Sequence, residues 1–333
     1  MKLVTFKKRR ELPFHGQLTG QVGVLLSTDE ILDLSLARHS PSMARWIPNS
    51  LRGVLEAGQE GLEFIRRLVD EIEEAPETER ESLTERGALL PLATMPLLAP
   101  VPQPALIISA GKNYGEHLRE MGTPKPLHPT GFIKSTTAVI GPNAPIILPR
   151  QFPDMVDFEG EFSLVFSRAC HHVDVQDAMN YVAGYTIVND VSARNWVRPT
   201  LEAKENEEII LAWQVNIMGK QLPTFCPMGP VMVTRDEIDD PHNLNLTTRL
   251  NGKLMQSANT NDLLFKLPEL IAYFSKWYQF RPGDLITTGS PGGVGFGRNP
   301  KVFMKPGDVI TITVDGIGTL SNPIAAAQKC EKI

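Results

Sequence analysis

The sequence predicts a mixed, β-rich α+β fold in which a small N-terminal domain precedes a larger domain. Strand-like runs dominate the chain after about residue 105, whereas helical runs are few there. The pair Asn251-Gly252 between two such runs is a hairpin signal, because its tight turn needs positive φ at both residues. A proline-rich stretch, residues 90–104, suits an extended connection. We therefore divide the chain into residues 1–100 and 101–333.

The leading part combines short strands with a helical stretch. Candidate strands cover residues 3–6, 21–27 and 31–34. Between residues 51 and 86, apolar side chains recur at helical spacing, with Glu and Arg between them. These apolar positions are Leu62, Ile65, Leu68, Val69 and Ile72. Packing against the body of the protein is the commoner explanation of such a stripe, and a partner surface is the alternative.

After the proline-rich stretch, runs of β-branched and aromatic residues predict strands separated by turns. The predicted strands cover residues 106–109, 161–166, 185–189, 231–234, 244–250, 285–288 and 309–314. The predicted helices cover residues 114–120, 175–182 and 267–280. This succession is typical of a large sheet-rich domain with few helices.

Composition excludes several classes of function. The chain has 333 residues and a formal net charge of −5, and it carries no basic stripe for nucleic acid. The short basic run at residues 7–10 is interpreted as a solvated turn. No apolar run is long enough to span a bilayer. The cysteines Cys170, Cys226 and Cys330 form no disulfide framework and favour a reducing cytoplasm. We therefore expect a cytoplasmic protein whose partner is a small molecule, not nucleic acid or a membrane.

Three acidic residues are candidate ligands of a hard cation. Glu159 and Glu161 lie two apart at the start of a strand-like run, so their side chains share one face. Asp190 ends a second strand-like run. Like charges this close repel unless a cation lies between them, and carboxylates without Cys or His favour Mg²⁺, Mn²⁺ or Ca²⁺. The alternative, solvent-exposed acids on an edge strand, fits the apolar neighbours less well because buried unpaired carboxylates are costly.

A His–Glu pair follows the first strand of the larger domain. His117 and Glu120 are three residues apart, so they are neighbours on a helix. A carboxylate beside an imidazole orients it and raises its basicity, as a general base for water requires. A surface pair without a chemical role is the commoner reason for this spacing.

A glycine-rich run, residues 288–297, follows another predicted strand. Glycines in that position expose backbone N–H groups that can hold a carboxylate or phosphate. A dinucleotide loop is excluded, because no helix follows and no βαβ unit surrounds the run. We expect a small-anion cradle or a tight turn.

An ordered series of motifs runs from about residue 106 to residue 324. Its segments are Gly111-Lys112-Asn113-Tyr114 with His117 and Glu120, then Phe132-Ile133-Lys134, Asp157–Glu161, Tyr181–Tyr185, Asn189–Arg194, Phe225–Pro230, Thr288–Pro291 and Gly316–Asn322. Together they resemble the fumarylacetoacetate hydrolase family, in particular its acylpyruvate hydrolase and 2-hydroxyhepta-2,4-diene-1,7-dioate isomerase branch. The resemblance implies a β-roll catalytic domain, a homodimer and bound Mg²⁺ or Mn²⁺.

The resemblance also assigns residue roles. The implied metal ligands are Glu159, Glu161 and Asp190. The implied catalytic residues are His117, Glu120 and Lys220. The implied substrate contacts are Lys112, Tyr114 and Ser290. Two stretches depart from the family pattern: the segment after Lys220, and residues 197–210, which look longer than usual. Both leave the identity of the substrate open.

These implications predict hydrolytic C–C cleavage of a 1,3-dicarbonyl acid, such as an acylpyruvate or a fumarylpyruvate-like acid. The first alternative keeps the site but changes the reaction to oxaloacetate-type decarboxylation, or to isomerisation or hydration of an oxo-diacid. The second alternative is a catalytically silent ligand-binding protein on the same fold.

Overall fold

The chain folds into a mixed α+β structure that contains a large sheet. The computed structural model describes residues 1–7, 20–36, 48–120, 122–196 and 202–327. Most of the basic run at 7–10, residues 197–201 of the long segment and Cys330 lie outside the described residues. Within the described part, strands and helices mix throughout, which confirms the predicted α+β class.

Strands outnumber helices along the described part of the chain. The strands are β1 (Lys2–Phe6), β2 (Gln21–Leu25), β3 (Glu30–Asp33), β4 (Leu89–Pro91), β5 (Leu97–Leu98), β6 (Ile107–Gly111), β7 (Thr130–Ile133), β8 (Val139–Ile140), β9 (Ile146–Leu148), β10 (Val156–Asp157), β11 (Gly160–Phe166), β12 (Val182–Asn189), β13 (Ser192–Ala193), β14 (Cys226–Thr234), β15 (Asn245–Leu250), β16 (Lys253–Asn259), β17 (Leu285–Thr287), β18 (Val309–Val314) and β19 (Gly318–Ala326). The α-helices are α1 (Leu51–Glu56), α2 (Gly58–Glu73), α3 (Glu77–Glu85), α4 (Gly115–Glu120), α5 (Asn206–Met218) and α6 (Leu267–Phe274).

The large sheet joins the leading strands to the later ones. Its order is β4-β3-β2-β1-β14-β12-β11-β17-β6-β7, with β5 on β1 and β8 on β14. A second sheet has the order β16-β15-β18-β19-β9, and β10 pairs with β13. The boundary predicted near residue 100 falls between β5 and β6, yet β1 pairs with β14 across it. The division into two domains stays a prediction.

Both faces of the large sheet are covered by apolar side chains. Along β11, Phe162, Leu164 and Phe166 pack into a core shared with the second sheet and α6. Val165 belongs to a different core, shared with α1 and α2. Side chains alternate along a strand, so Glu161 lies on the same side of β11 as Val165. This alternation sends the acidic side chain away from the core that the phenylalanines fill.

Most of the predicted elements are present. Each predicted strand after the linker overlaps an observed strand, and the turn at Asn251-Gly252 has φ of 51° and 79° between β15 and β16. The helical stretch at 51–86 forms α1, α2 and α3, and every residue of the predicted stripe is buried along α2. None of the helices in the described part combines the length and apolarity needed to cross a bilayer.

Two helix predictions need correction, and one helix was missed. The helix predicted at 175–182 is wrong, because only a 3₁₀ turn forms at Ala178–Tyr181, with Asp177 and Asn180 bonding three residues back. The helix predicted at 267–280 ends at Phe274, where the Ser275 hydroxyl turns to bond the carbonyl oxygen of Ala272. Helix α5 was not predicted, because its apolar residues surround the whole helix and give no amphipathic period.

Candidate active site

Glu159, Glu161 and Asp190, the acidic triad, meet at one end of β11 and β12. These strands pair antiparallel, with Gly160 opposite Asn189, so the start of β11 lies beside the end of β12. Oxygen atoms of the three carboxylates lie within 4.8 Å of one another. The three side chains thus converge as the sequence predicted, and their role as metal ligands stays a prediction.

Two buried lysines balance part of this negative charge. Lys220 Nζ donates to Glu159 Oε2 and to Asp190 Oδ2, each at 2.6 Å. Lys134, with 1% of its surface exposed, donates to Asp190 Oδ1. Glu161 is held differently, by a hydrogen bond from the Thr287 hydroxyl. The lysines therefore bond two carboxylates of the acidic triad, and a neutral donor bonds the third.

This unequal pairing separates the pKa values of Glu161 and Asp190. Burial raises the pKa of Glu161 well above its usual range, and the Asp190 and Glu159 carboxylates raise it further. Burial also acts to raise the pKa of Asp190, but Lys134 and Lys220 outweigh burial and lower that pKa well below its usual range. Without a bound cation, Glu161 therefore holds a proton more readily than Asp190 does.

Arg194 connects the triad to the glycine-rich run. Its Nη2 donates to Glu159 and its Nε donates to Asp157 Oδ2 at 2.9 Å. Asp157 also accepts from the backbone N–H of Gly295, at 2.7 Å, and of the next residue, at 3.0 Å. A side chain at Gly295 would collide with the carbonyl oxygen of Val302, so the close approach needs glycine. The anion in the predicted cradle is thus the carboxylate of Asp157.

Ser290 is held near the acidic triad by a glutamine. Gln256 Nε2 donates to Ser290 Oγ at 2.8 Å. Gln256 Oε1 accepts from the N–H of Gly160 at 3.0 Å, and Gly160 lies between Glu159 and Glu161. The half-buried hydroxyl of Ser290 therefore stands beside the strand that carries the acids, as its predicted contact with substrate requires.

His117 and Glu120 lie one turn apart on α4. His117 Nδ1 is 3.6 Å from Glu120 Oε2, which is too long for a hydrogen bond. His117 Nδ1 is buried and has no hydrogen-bond partner among the residues that the structure describes. Glu120 lies over the glycine-rich run, because a Cβ at Gly292 would collide with its carboxylate.

The sheet order links α4 to the acidic triad. Helix α4 follows β6, which pairs with β17, and β17 pairs with β11. Ser109 on β6 completes the link, because its hydroxyl donates to Asp190 Oδ2 at 3.3 Å and lies 3.2 Å from the Thr287 hydroxyl. The predicted general base thus lies on a helix that follows β6, and β6 belongs to the same hydrogen-bonded sheet as β11 and β12, whose ends carry the predicted metal ligands.

The remaining predicted substrate contacts differ in accessibility. Lys112 has a left-handed φ of 55°, and its Nζ lies 5.5 Å from the centre of the Trp213 ring on the accessible helix α5. Tyr114 is fully buried, and burial raises the pKa of its hydroxyl. Of the three predicted substrate contacts, Tyr114 has the least accessible side chain, and its contact with substrate stays a prediction.

Sequence reasoning left some residues of the site without a role. Lys134 and Arg194 lie in the recognised motifs. Lys134 could have been noticed as a cation directly after an apolar run, and Arg194 as a cation four residues after Asp190. Gln256 gave no signal, because sheet packing brings it to a residue 96 positions away.

The residues present fit a divalent cation. The donor set consists of carboxylate oxygens, which Mg²⁺ and Mn²⁺ prefer. Glu161 adds a second reason, because its raised pKa marks a buried carboxylate that a nearby cation would stabilise in the charged form.

Known proteins resemble this chain in sequence and in structure. The family model "Fumarylacetoacetate (FAA) hydrolase C-terminal" matches residues 106–325. The chain is 40% identical over 260 residues to a mitochondrial oxaloacetate tautomerase of Xenopus laevis, with 78% of each chain covered. It is 37% identical over 307 residues to an oxaloacetate tautomerase of Bacillus subtilis (strain 168), covering 91% of this chain and 95% of that protein.

A solved structure extends the similarity to nearly the whole chain. Maleylpyruvate hydrolase from Sphingobium sp. SYK-6, in complex with manganese (II) ion and pyruvate, has a TM-score of 0.70 and 27% identity. The comparison covers 98% of this chain and 100% of that one. At this identity, the similarity extends to the sequence as well as the fold.

Proposed function

The chain belongs to the fumarylacetoacetate hydrolase family, and on that premise we propose that it interconverts the keto and enol forms of oxaloacetate with a divalent metal. The observation that carries the proposal is the contact of Lys220 with two carboxylates of the acidic triad. A fixed ammonium beside a cation site is suited to stabilise negative charge on an enolate oxygen. The names of the relatives from Xenopus laevis and Bacillus subtilis favour tautomerisation among the reactions that use an enolate.

The acidic triad would hold the metal. A bound divalent ion polarises the carbonyl oxygen of a 2-oxo acid and makes the adjacent C–H group more acidic. Mg²⁺ and Mn²⁺ are the ions that we propose, and the manganese in the maleylpyruvate hydrolase relative supports this choice. Ca²⁺ is the remaining ion that accepts the same oxygen donors.

Tautomerisation moves one proton between carbon 3 and the oxygen on carbon 2, with no net gain or loss of atoms. We assign this proton to His117, whose Nδ1 lies 3.6 Å from an oxygen of the Glu120 carboxylate. Lys220 would offer its positive charge to the oxygen that becomes negative. Ser290 and Lys112 would contact the carboxylates of the substrate.

The test follows the enol absorbance of oxaloacetate as it approaches the keto–enol equilibrium. We expect the protein to accelerate this approach without changing the equilibrium ratio. EDTA should abolish the acceleration, and added Mg²⁺ or Mn²⁺ should restore it. A rate equal to that of buffer with the same metal, at every protein concentration, would contradict the proposal.

Product analysis in the same samples separates tautomerisation from the alternatives. Decarboxylation converts oxaloacetate into pyruvate and CO₂, whereas tautomerisation releases neither above the rate without protein. A fully inactive protein across oxaloacetate and acylpyruvates, with either metal present, would instead support the silent ligand-binding alternative.

C–C hydrolysis of an acylpyruvate is the second candidate function. The contact between His117 and Glu120 supports it, because a paired imidazole can take a proton from water. The maleylpyruvate hydrolase relative, in complex with pyruvate, supports it further. Equimolar release of pyruvate and a carboxylic acid from an acylpyruvate is the expected result for this function. An oxo-acid substrate, a homodimer and a cytoplasmic location stay predictions.

A further inference from the structure

An apolar stripe on α5 leads towards the acidic triad. Ile210, Trp213 and Ile217 lie three and four residues apart, so they share one face of the helix, and Lys220 follows three residues later. The exposed fraction falls along this series, from 59% at Ile210 to 44% at Trp213, 36% at Ile217 and 8% at Lys220. Lys220 lies just past the C-terminal end of α5 and bonds the triad, so that end of the helix lies beside the centre of the site.

The ring of Trp213 contacts a cation that lies outside α5. Lys112 Nζ lies 5.5 Å from the centre of its ring, within the range of a cation–π contact. Lys112 directly follows β6, the strand whose Ser109 bonds Asp190. The contact therefore joins α5 to the end of β6, two elements that each adjoin a residue bonded to Asp190.

The backbone beside Lys112 is fixed, whereas its side chain is long and flexible. Its φ of 55° is uncommon for lysine, and such conformations concentrate at functional sites. The next residue, Asn113, accepts from the N–H of Phe265 at 2.8 Å and donates to the carbonyl oxygen of Thr288 at 3.1 Å. These bonds set the direction in which the Lys112 side chain leaves the backbone. Contact with the Trp213 ring restricts the position of the ammonium group at its end.

We propose that Trp213 is a positioning residue that holds the Lys112 ammonium for the substrate carboxylate remote from the 2-oxo group. This inference rests on the proposed function and narrows the substrates to oxo acids with a second carboxylate. The ring covers one side of the ammonium and leaves its other N–H donors for a carboxylate. Helix α5 begins within residues 197–210, the segment that we expect to be longer than is usual in the family.

The test compares a diacid with a monoacid in enol–keto assays. Oxaloacetate is the diacid, and 2,4-dioxopentanoate carries an acetyl group where oxaloacetate has its second carboxylate. We expect Trp213→Ala to raise KM for oxaloacetate about fivefold, with kcat within about twofold and little change for 2,4-dioxopentanoate. Trp213→Phe should restore most of the loss, because it keeps an aromatic face.

Two further variants show whether Trp213 acts through Lys112. Lys112→Met should raise KM for oxaloacetate about tenfold or more, since it removes a charged donor. Adding Trp213→Ala to Lys112→Met should then change nothing. Ile210→Ala, on the same stripe but farther from the triad, is the matched control and should match the wild type. Equal KM increases for both substrates, or additive effects in the double variant, would overturn the positioning role.

A binding measurement separates this inference from the proposed function. Malate is a diacid and lactate a monoacid, and neither tautomerises. Their binding is followed by tryptophan fluorescence. The variant Trp213→Phe gives the signal of the other tryptophans, which is subtracted. We expect malate to bind more tightly than lactate and to lose this advantage in Lys112→Met. If the protein binds malate more tightly than lactate but does not accelerate the keto–enol conversion of oxaloacetate, the proposed function is contradicted and the inference about Trp213 and Lys112 stands. Equal binding of malate and lactate overturns the inference.

Discussion

The centre and the rim of the site are built in different ways. At the centre, the acidic triad lies at strand ends and is bonded by Lys134, Lys220 and Arg194, all of them buried. At the rim, His117 and Glu120 lie on α4, and Trp213 lies on α5, with looser contacts and more exposure. Charges interact more strongly where water is excluded. Charge balance is therefore fixed at the centre, while the residues that we propose for proton transfer and for positioning Lys112 lie on more exposed helices.

The largest effects are expected at the centre, where replacing two acids of the triad should change the free energy of unfolding by very different amounts. Asp190→Asn leaves Lys134 and Lys220 with a buried charge imbalance and should lower the free energy of unfolding by about 3–5 kcal/mol. Glu161→Gln resembles the protonated acid that burial favours, so the metal-free variant should stay within about 1 kcal/mol of the wild type. Urea unfolding in EDTA measures both. Equal losses of stability would contradict the unequal charge balance.

The same pair of acids predicts how stability depends on pH in the metal-free protein. The raised pKa of Glu161 stabilises the fold below the usual range of that carboxyl, and this stability is lost as pH rises through the raised value. The lowered pKa of Asp190 acts in the opposite sense, since its contribution is present above the usual range and is lost in acid. Glu161→Gln should remove the loss of stability on the alkaline side only.

Mn²⁺ titration calorimetry of Glu161→Gln should show that its affinity for Mn²⁺ is reduced by more than about a hundredfold.

At the rim, His117→Ala should lower kcat by about a hundredfold or more, because one general base is removed. Metal affinity should remain nearly unchanged, since α4 contributes none of the triad. Steady-state rates and Mn²⁺ titration check the two expectations. Glu116→Ala, which removes an exposed acid from the same helix, is the control and should retain activity. Wild-type turnover of His117→Ala would refute the assignment of the base.

The smallest of these effects tests the contact between the rim and the glycine-rich run. Gly292→Ala places a Cβ against the end of the Glu120 side chain, which can move aside at little cost in stability. Displacing that carboxylate should lower kcat by about tenfold. Gly297→Ala is the matched control, because the nearest atom to its Cβ would be 3.8 Å away. Similar rates for both variants would show that Glu120 is not needed where it lies.

The sequence predicted the centre better than the rim. Glu159 and Glu161 could be placed on one strand face because side chains alternate with a fixed period of two. The bond between Lys134 and Asp190 spans 56 positions, so no local pattern could indicate it. Helix α5 escaped prediction because its apolar residues lie on every side, and the segment at 175–182 misled because short polar side chains favour turns.

The position of β1 has a practical consequence for dividing this chain. The match to the family model begins at residue 106, yet Leu3 pairs with Met232 on β14, far beyond that point. A truncated fragment that starts at the family match would strip β14 of this neighbour. Bare strand edges recruit other chains and promote aggregation. Chimeras that exchange the matched segment between relatives should therefore carry their own first strand with it.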